Sequence, residues 1–133
     1  MDTRSHLTQW KHNRSLIERI PVQYVDWIVT VAFYSALYAV DALFIHDRMR
    51  SPTSHTDRIS ILQNTNKYSY IRDRFLPLYN LSRTVRYMAD PVRWVPLEKV
   101  TTEVFSRLYG IEASVQKFMG RNLGFQPLVL SQL

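Results

Sequence analysis

VQYVDWIVTVAFYSALYAVDALFI, residues Val22 to Ile45, decides the fold. Its apolar positions Val25, Ile28, Val29, Ala32, Phe33, Ala36, Leu37, Val40, Leu43 and Phe44 recur in steps of three and four. That is the helical period, and a helix apolar nearly all round must be buried nearly all round. At about 1.5 Å per residue it spans roughly 35 Å, the height of a small domain. Its uncharged run, Trp27 to Val40 between Asp26 and Asp41, is shorter than the roughly 20 apolar residues a bilayer needs. A core helix is therefore expected, and no membrane as a partner.

The neighbouring segments are read as elements that pack on this helix. Upstream, residues 5–19 predict an amphipathic helix with Leu7, Trp10, Leu16, Ile17 and Ile20 as its stripe and Lys11, Arg14 and Glu18 off it. Pro21 ends that helix and suits the first turn of the next, so the two are antiparallel neighbours. Downstream, Ser51-Pro52 is a turn, and Thr53 or Ser54 caps a third helix with Asp57 in its first turn. Ile59, Ile61 and Leu62 give that helix an apolar side, which fades by Asn64-Thr65-Asn66. A fourth helix is expected from Tyr68 to Met88, broken or kinked near Pro77 and stopped by Asp90-Pro91, with Ile71, Phe75, Leu78 and Val85 inward. Pro96 opens the last, where Leu97, Val100, Val104, Leu108, Ile111, Val115 and Phe118 keep a near-heptad spacing up to a carboxyl cap at Gly120. The sum is an all-α bundle of about five helices over residues 1–123. An apolar tail, 124–133, is expected to pack on the bundle or on another subunit.

Composition agrees with one globular domain: 133 residues, 46% hydrophobic and 21% charged, with no cysteine. The missing thiols exclude disulfides and thiolate metal sites and fit a reducing compartment, so a cytoplasmic location is expected. The segment MDTRSHLTQWKHNR has no apolar core of a signal peptide. Net charge is +6, and thirteen of the seventeen basic residues are arginine. Between Ile59 and Arg93 six of them (Lys67, Arg72, Arg74, Arg83, Arg86, Arg93) face only Asp73 and Asp90. Guanidinium forks suit phosphate, which makes nucleic acid the natural polyanion.

The four histidines, His6, His12, His46 and His55, lack HxxxH or HExxH spacing, and no Gly-rich phosphate loop, GxSxG elbow or dinucleotide fingerprint occurs. No metal and no cofactor are expected, and His6 and His12 are read as surface residues of the first helix. His55 and Arg58 share a face, with His46, Asp47, Arg48 and Arg50 in the loop before them. Tyr79, Ser82, Arg83, Arg86 and Tyr87 fall at helical offsets that make one polar and aromatic stripe. Asp41 sits near the end of the central helix, and a buried carboxylate there demands an arginine.

The strings AFYSALYAVDALF, SHTDR and LYNLSRTVRY, in that order, resemble the small prokaryotic HEPN domains, from about residue 5 to 118. The resemblance implies an up-and-down bundle that dimerises. It also implies either a binding module for RNA or a nucleotide, often beside a nucleotidyltransferase-like partner, or a metal-independent ribonuclease of toxin–antitoxin or defence systems. Ribonuclease members carry an arginine and a histidine with roughly four to six residues between them on a late helix. Here no histidine follows His55, and such spacing occurs only from Arg48 or Arg50 to His55, before the third helix. The expected function is accordingly a binding module using Arg48, Arg50, Tyr79, Ser82, Arg83 and Tyr87. The alternative is an endoribonuclease at a dimer interface, with His55 as acid or base and Arg58 and Arg86 holding phosphate. A third possibility is an antitoxin-like interaction module that docks through the tail.

Overall fold

The computed structural model describes residues 2–87 and 95–130, an all-α bundle with no strand among them. Its helices are α1 (Thr3–Ile17), α2 (Val25–His46), α3 (His55–Asn64), α4 (Ser69–Val85) and α5 (Ser106–Met119). Short 3₁₀ turns at Val22–Tyr24 and Asn66–Tyr68 lead into α2 and α4. A single turn, Leu97–Lys99, and a π-helical stretch, Val100–Phe105, lead into α5.

α2 is the core. Val25, Val29, Ala32, Phe33, Ala36, Ala39, Val40, Ala42, Leu43 and Phe44 are all fully buried, and α1, α4 and α5 pack on it while α3 packs on α4. The alanines keep one flank of α2 thin, so that neighbouring helices approach closely. Asp26 and Asp41 do not shorten it as the sequence suggested: Val22–His46 is long and apolar enough to cross a membrane. Its most apolar window is, however, 72% buried within the bundle.

The caps explain where the helices stop. Asp2 accepts from the Ser5 amide (2.8 Å) to start α1. Ser54 is the cap of α3 and accepts from the Asp57 amide at 3.0 Å, while Asp57 accepts from the Thr53 amide at 2.9 Å. At the end of α5, Gly120 takes the left-handed conformation (φ 66°), and Arg121 N–H and Gly120 N–H close onto the Gln116 and Lys117 carbonyls. That paired closure is the Schellman turn, which favours glycine because no Cβ opposes the positive φ. α4 continues through Pro77 as one helix but ends at Val85, earlier than the sequence suggested. Met88, the Asp90-Pro91 stop, Arg93 and residues 131–133 lie outside the described residues.

Arg14, expected off the α1 stripe, is only 4% exposed. Its Nε donates to both oxygens of Glu112 at 3.0 Å, and Trp10 Nε1 donates to Glu112 Oε2 at 2.7 Å. Burial pushes the Glu112 carboxyl above its ordinary pKa, and Arg14 and Trp10 oppose that rise. A second Arg14 nitrogen donates to the Gln126 carbonyl, and the guanidinium lies 5.2 Å over the Phe125 ring. The tail is thus laid against the bundle: Phe125 packs on Trp10 (5.0 Å), and the buried Leu128 lines a small recess together with Ile17, Ile20, Val22, Ile28 and Phe105.

Glu112→Ala strands the buried Arg14 charge, which typically costs about 3–5 kcal/mol. The expected outcome is a lowered urea midpoint together with faster tryptic cleavage at Arg121 under native conditions. An unchanged midpoint contradicts the assigned role of Glu112.

Candidate functional site

The site is built where α3 begins. The Arg50 guanidinium makes a two-pronged ion pair with Asp57, whose carboxyl is held down at about 2 by that bond and by the Thr53 amide. Loop and helix are pinned together this way, and the fork of Arg50, expected to bind a ligand, is already engaged by the α3 cap.

One turn further on, Arg58 is buried (7% exposed) and cannot reach a ligand phosphate as the sequence suggested. Its Nε donates to Asp41 Oδ1 (2.7 Å) and one terminal nitrogen to Asp41 Oδ2 (2.9 Å). Asp41, 6% exposed on α2, therefore has the arginine its burial demands. The remaining Arg58 nitrogen stands 3.2 Å from His55 Nδ1. The half-buried His55 ring packs against Phe33 (5.7 Å) and Tyr79 (5.4 Å), and Tyr79 packs on Phe33 (5.5 Å).

α4 supplies the outer part. The Arg83 guanidinium lies 5.5 Å over the Tyr79 ring, and Arg86 Nε donates to the Ser82 carbonyl at 3.2 Å, with both arginines otherwise exposed. The expected stripe does not survive. Ser82 is fully buried, with its hydroxyl donating to the Tyr79 carbonyl (3.0 Å), and Tyr87 is 87% exposed beyond the helix end. Arg48 is exposed just past α2 in the left-handed conformation (φ 60°). The structure brings together His55, Arg58, Tyr79, Arg83 and Arg86; it withdraws Ser82 into the core and commits Arg50 to Asp57.

A further histidine joins the cluster from α1. His6, expected on the surface, is 8% exposed, with its ring 5.8 Å from Tyr38 and its buried Nδ1 without a hydrogen-bond partner among the described residues. His12 is exposed. The available signal was polar residues in phase with the apolar ones, since His6, Trp10, Asn13 and Ile17 follow steps of four, three and four and are all buried. Burial holds His6 below 6.5, although Asp41 pulls it up. Burial does the same to His55, helped by the Arg58 and Arg86 charges against Asp41. Among the described residues no group of three histidines and carboxylates is placed to hold a metal.

Comparison with family models, with curated proteins and with solved structures returns no match for this chain.

Both depressed histidines give acid sensitivity of known sign. Their contribution to stability is complete above the unfolded value near 6.5 and is lost as pH falls through the lowered folded values. Urea midpoints should hold steady from about pH 8 to 7 and fall below about 6. His6→Phe should reduce that fall; an identical profile in the variant contradicts the role given to His6.

Proposed function

We propose that this protein is an RNA-binding module of the HEPN type, with its contact face where α3 begins and α4 ends. One observation carries this reading. Arg14, Arg50, Arg58, Arg72 and Arg107 each have a carboxylate partner; Arg83 and Arg86, like Arg4, Arg19, Arg48, Arg74 and Arg121, have none among the described residues, and Arg83 and Arg86 flank Tyr79 and His55. Guanidiniums without an internal acid are open to phosphate oxygens. The Tyr79 ring is already packed by Phe33, His55 and Arg83, and the exposed Tyr87 ring next to Arg86 gives a base a surface to stack on.

Binding is favoured over cleavage because of Arg58. A ribonuclease needs positive charge on the phosphorane and a histidine free to exchange protons. Here Arg58 is buried on Asp41, and it occupies one of the two His55 nitrogens. A second copy of the chain, as the HEPN resemblance implies, would present the face twice.

The test is retention of a labelled mixed-sequence RNA on a gel in EDTA across a salt series. Affinity should fall steeply with salt, and Arg83→Ala with Arg86→Ala should weaken binding by ~10-fold or more and flatten the salt slope by about two. Lack of RNA affinity at low salt overturns the proposal. Cleavage that disappears in His55→Ala would replace it with the endoribonuclease alternative.

A further inference from the structure

A guanidinium has five N–H donors and no acceptor. The Arg58 nitrogen 3.2 Å from His55 Nδ1 can therefore only donate, and Nδ1 must hold a lone pair. In a neutral imidazole the proton is then on Nε2. We infer that Asp41 and Arg58 lock His55 as the Nε2–H tautomer, so that the site offers a bound oxygen a hydrogen-bond donor and no basic nitrogen. The ligand oxygen, a phosphodiester or base carbonyl of RNA, rests on the function proposed above; the lock itself does not.

Three constraints keep the lock closed. Arg58 cannot swing away, because its two other nitrogens are bonded to both oxygens of Asp41 inside the bundle. The His55 ring is wedged between Phe33 of α2 and Tyr79 of α4, which opposes a half-turn about its axis. Protonating Nδ1 would set a second cation against Arg58, with Arg86 acting on the same ring from beyond α4. Among the described residues the acid acting on His55 is Asp41, and both of its oxygens are committed. Arg58 is thus a positioning residue. Its effect on a ligand passes through His55, and removing a ribose 2′-hydroxyl proton by Nε2 would first require breaking the Arg58 bond.

The test uses the full chain, ¹⁵N-labelled, with the imidazole tautomers read from long-range ¹H–¹⁵N correlations at neutral pH without RNA. The expected spectrum shows His55 Nε2 protonated and Nδ1 bare; the opposite tautomer or an imidazolium overturns the inference. Arg58→Lys keeps a charge on Asp41 but withdraws the arm that reaches His55. Replacing Asp41 by Leu together with Arg58 by Met removes the pair without stranding a charge. In whichever variant is folded, His55 should populate both tautomers, and a single unchanged Nε2–H form overturns the lock. Against a labelled RNA 12-mer, His55→Gln, which retains a donor, should stay within ~3-fold of wild type, while His55→Leu should lose ~10-fold, the effect of about one hydrogen bond. Equal losses in the two overturn the donor role. A chain that binds no RNA fails the functional proposal and leaves the tautomer spectrum to decide the lock alone.

Discussion

A carboxylate on the most buried helix of a bundle has to be met by a cation, and Asp41 on α2 sets much of what surrounds it. Its ionised oxygens would be costly to bury alone. Arg58 meets both, and to do so α3 must lie with its first turns against the C-terminal half of α2. α3 itself buries only Ile61 and Leu62 besides Arg58, so the ion pair supplies a large share of what fixes its place. Once α3 is seated, His55 falls on Phe33, and Tyr79 of α4 closes over it. In energetic terms such a pair is often replaceable by apolar side chains. What apolar side chains cannot reproduce is the direction it imposes on the third guanidinium nitrogen.

The same device appears between α1 and α5. Glu112 on α5 is buried completely and is met by Arg14 from α1, with Trp10 as a second donor. In both pairs the carboxylate does not exhaust the fork. Arg58 uses its remaining nitrogen on His55, and Arg14 uses one on the Gln126 carbonyl. A planar group with five donors can hold an internal acid and still reach an element outside the core, which lysine's single ammonium cannot do at two well-separated points. One buried arginine therefore orients the candidate site, and the other fastens the C-terminal segment.

The fold was legible where short-range chemistry decides it. The period of Val25 to Phe44 shows the core helix, Gly120 marks the cap of α5, Thr53 or Ser54 marks the start of α3, which the structure gives to Ser54, and a buried Asp41 calls for an arginine. The candidate site was legible only in part. Polarity alone puts Arg14 and His6 on the surface, yet their positions are in phase with Trp10 and Ile17, and Arg14's partner lies 98 residues away. A stripe over Tyr79, Ser82 and Tyr87 assumed a helix continuing past Val85; its end there leaves Tyr87 off the helix, while Ser82 turns to the core. Arg50 looked available because its acid, Asp57, was read as a cap alone, when the same carboxylate serves both.

The π-helical stretch Val100–Phe105 gives the last helical segment some slack in its register. An i→i+5 ladder takes more residues per turn than the α ladder, so consecutive residues advance by a smaller angle. Val100, Val104 and Phe105 are the residues buried within it. In phase terms the stretch behaves like a regular helix with a residue spliced into it. A single-residue deletion at this place can therefore be absorbed by reversion to α geometry, with Leu108, Ile111 and Val115 keeping their seats in the core. Among the helical segments, a change of length in a descendant of this chain is thus better absorbed here than in α2, where most residues are buried and their angular positions are committed.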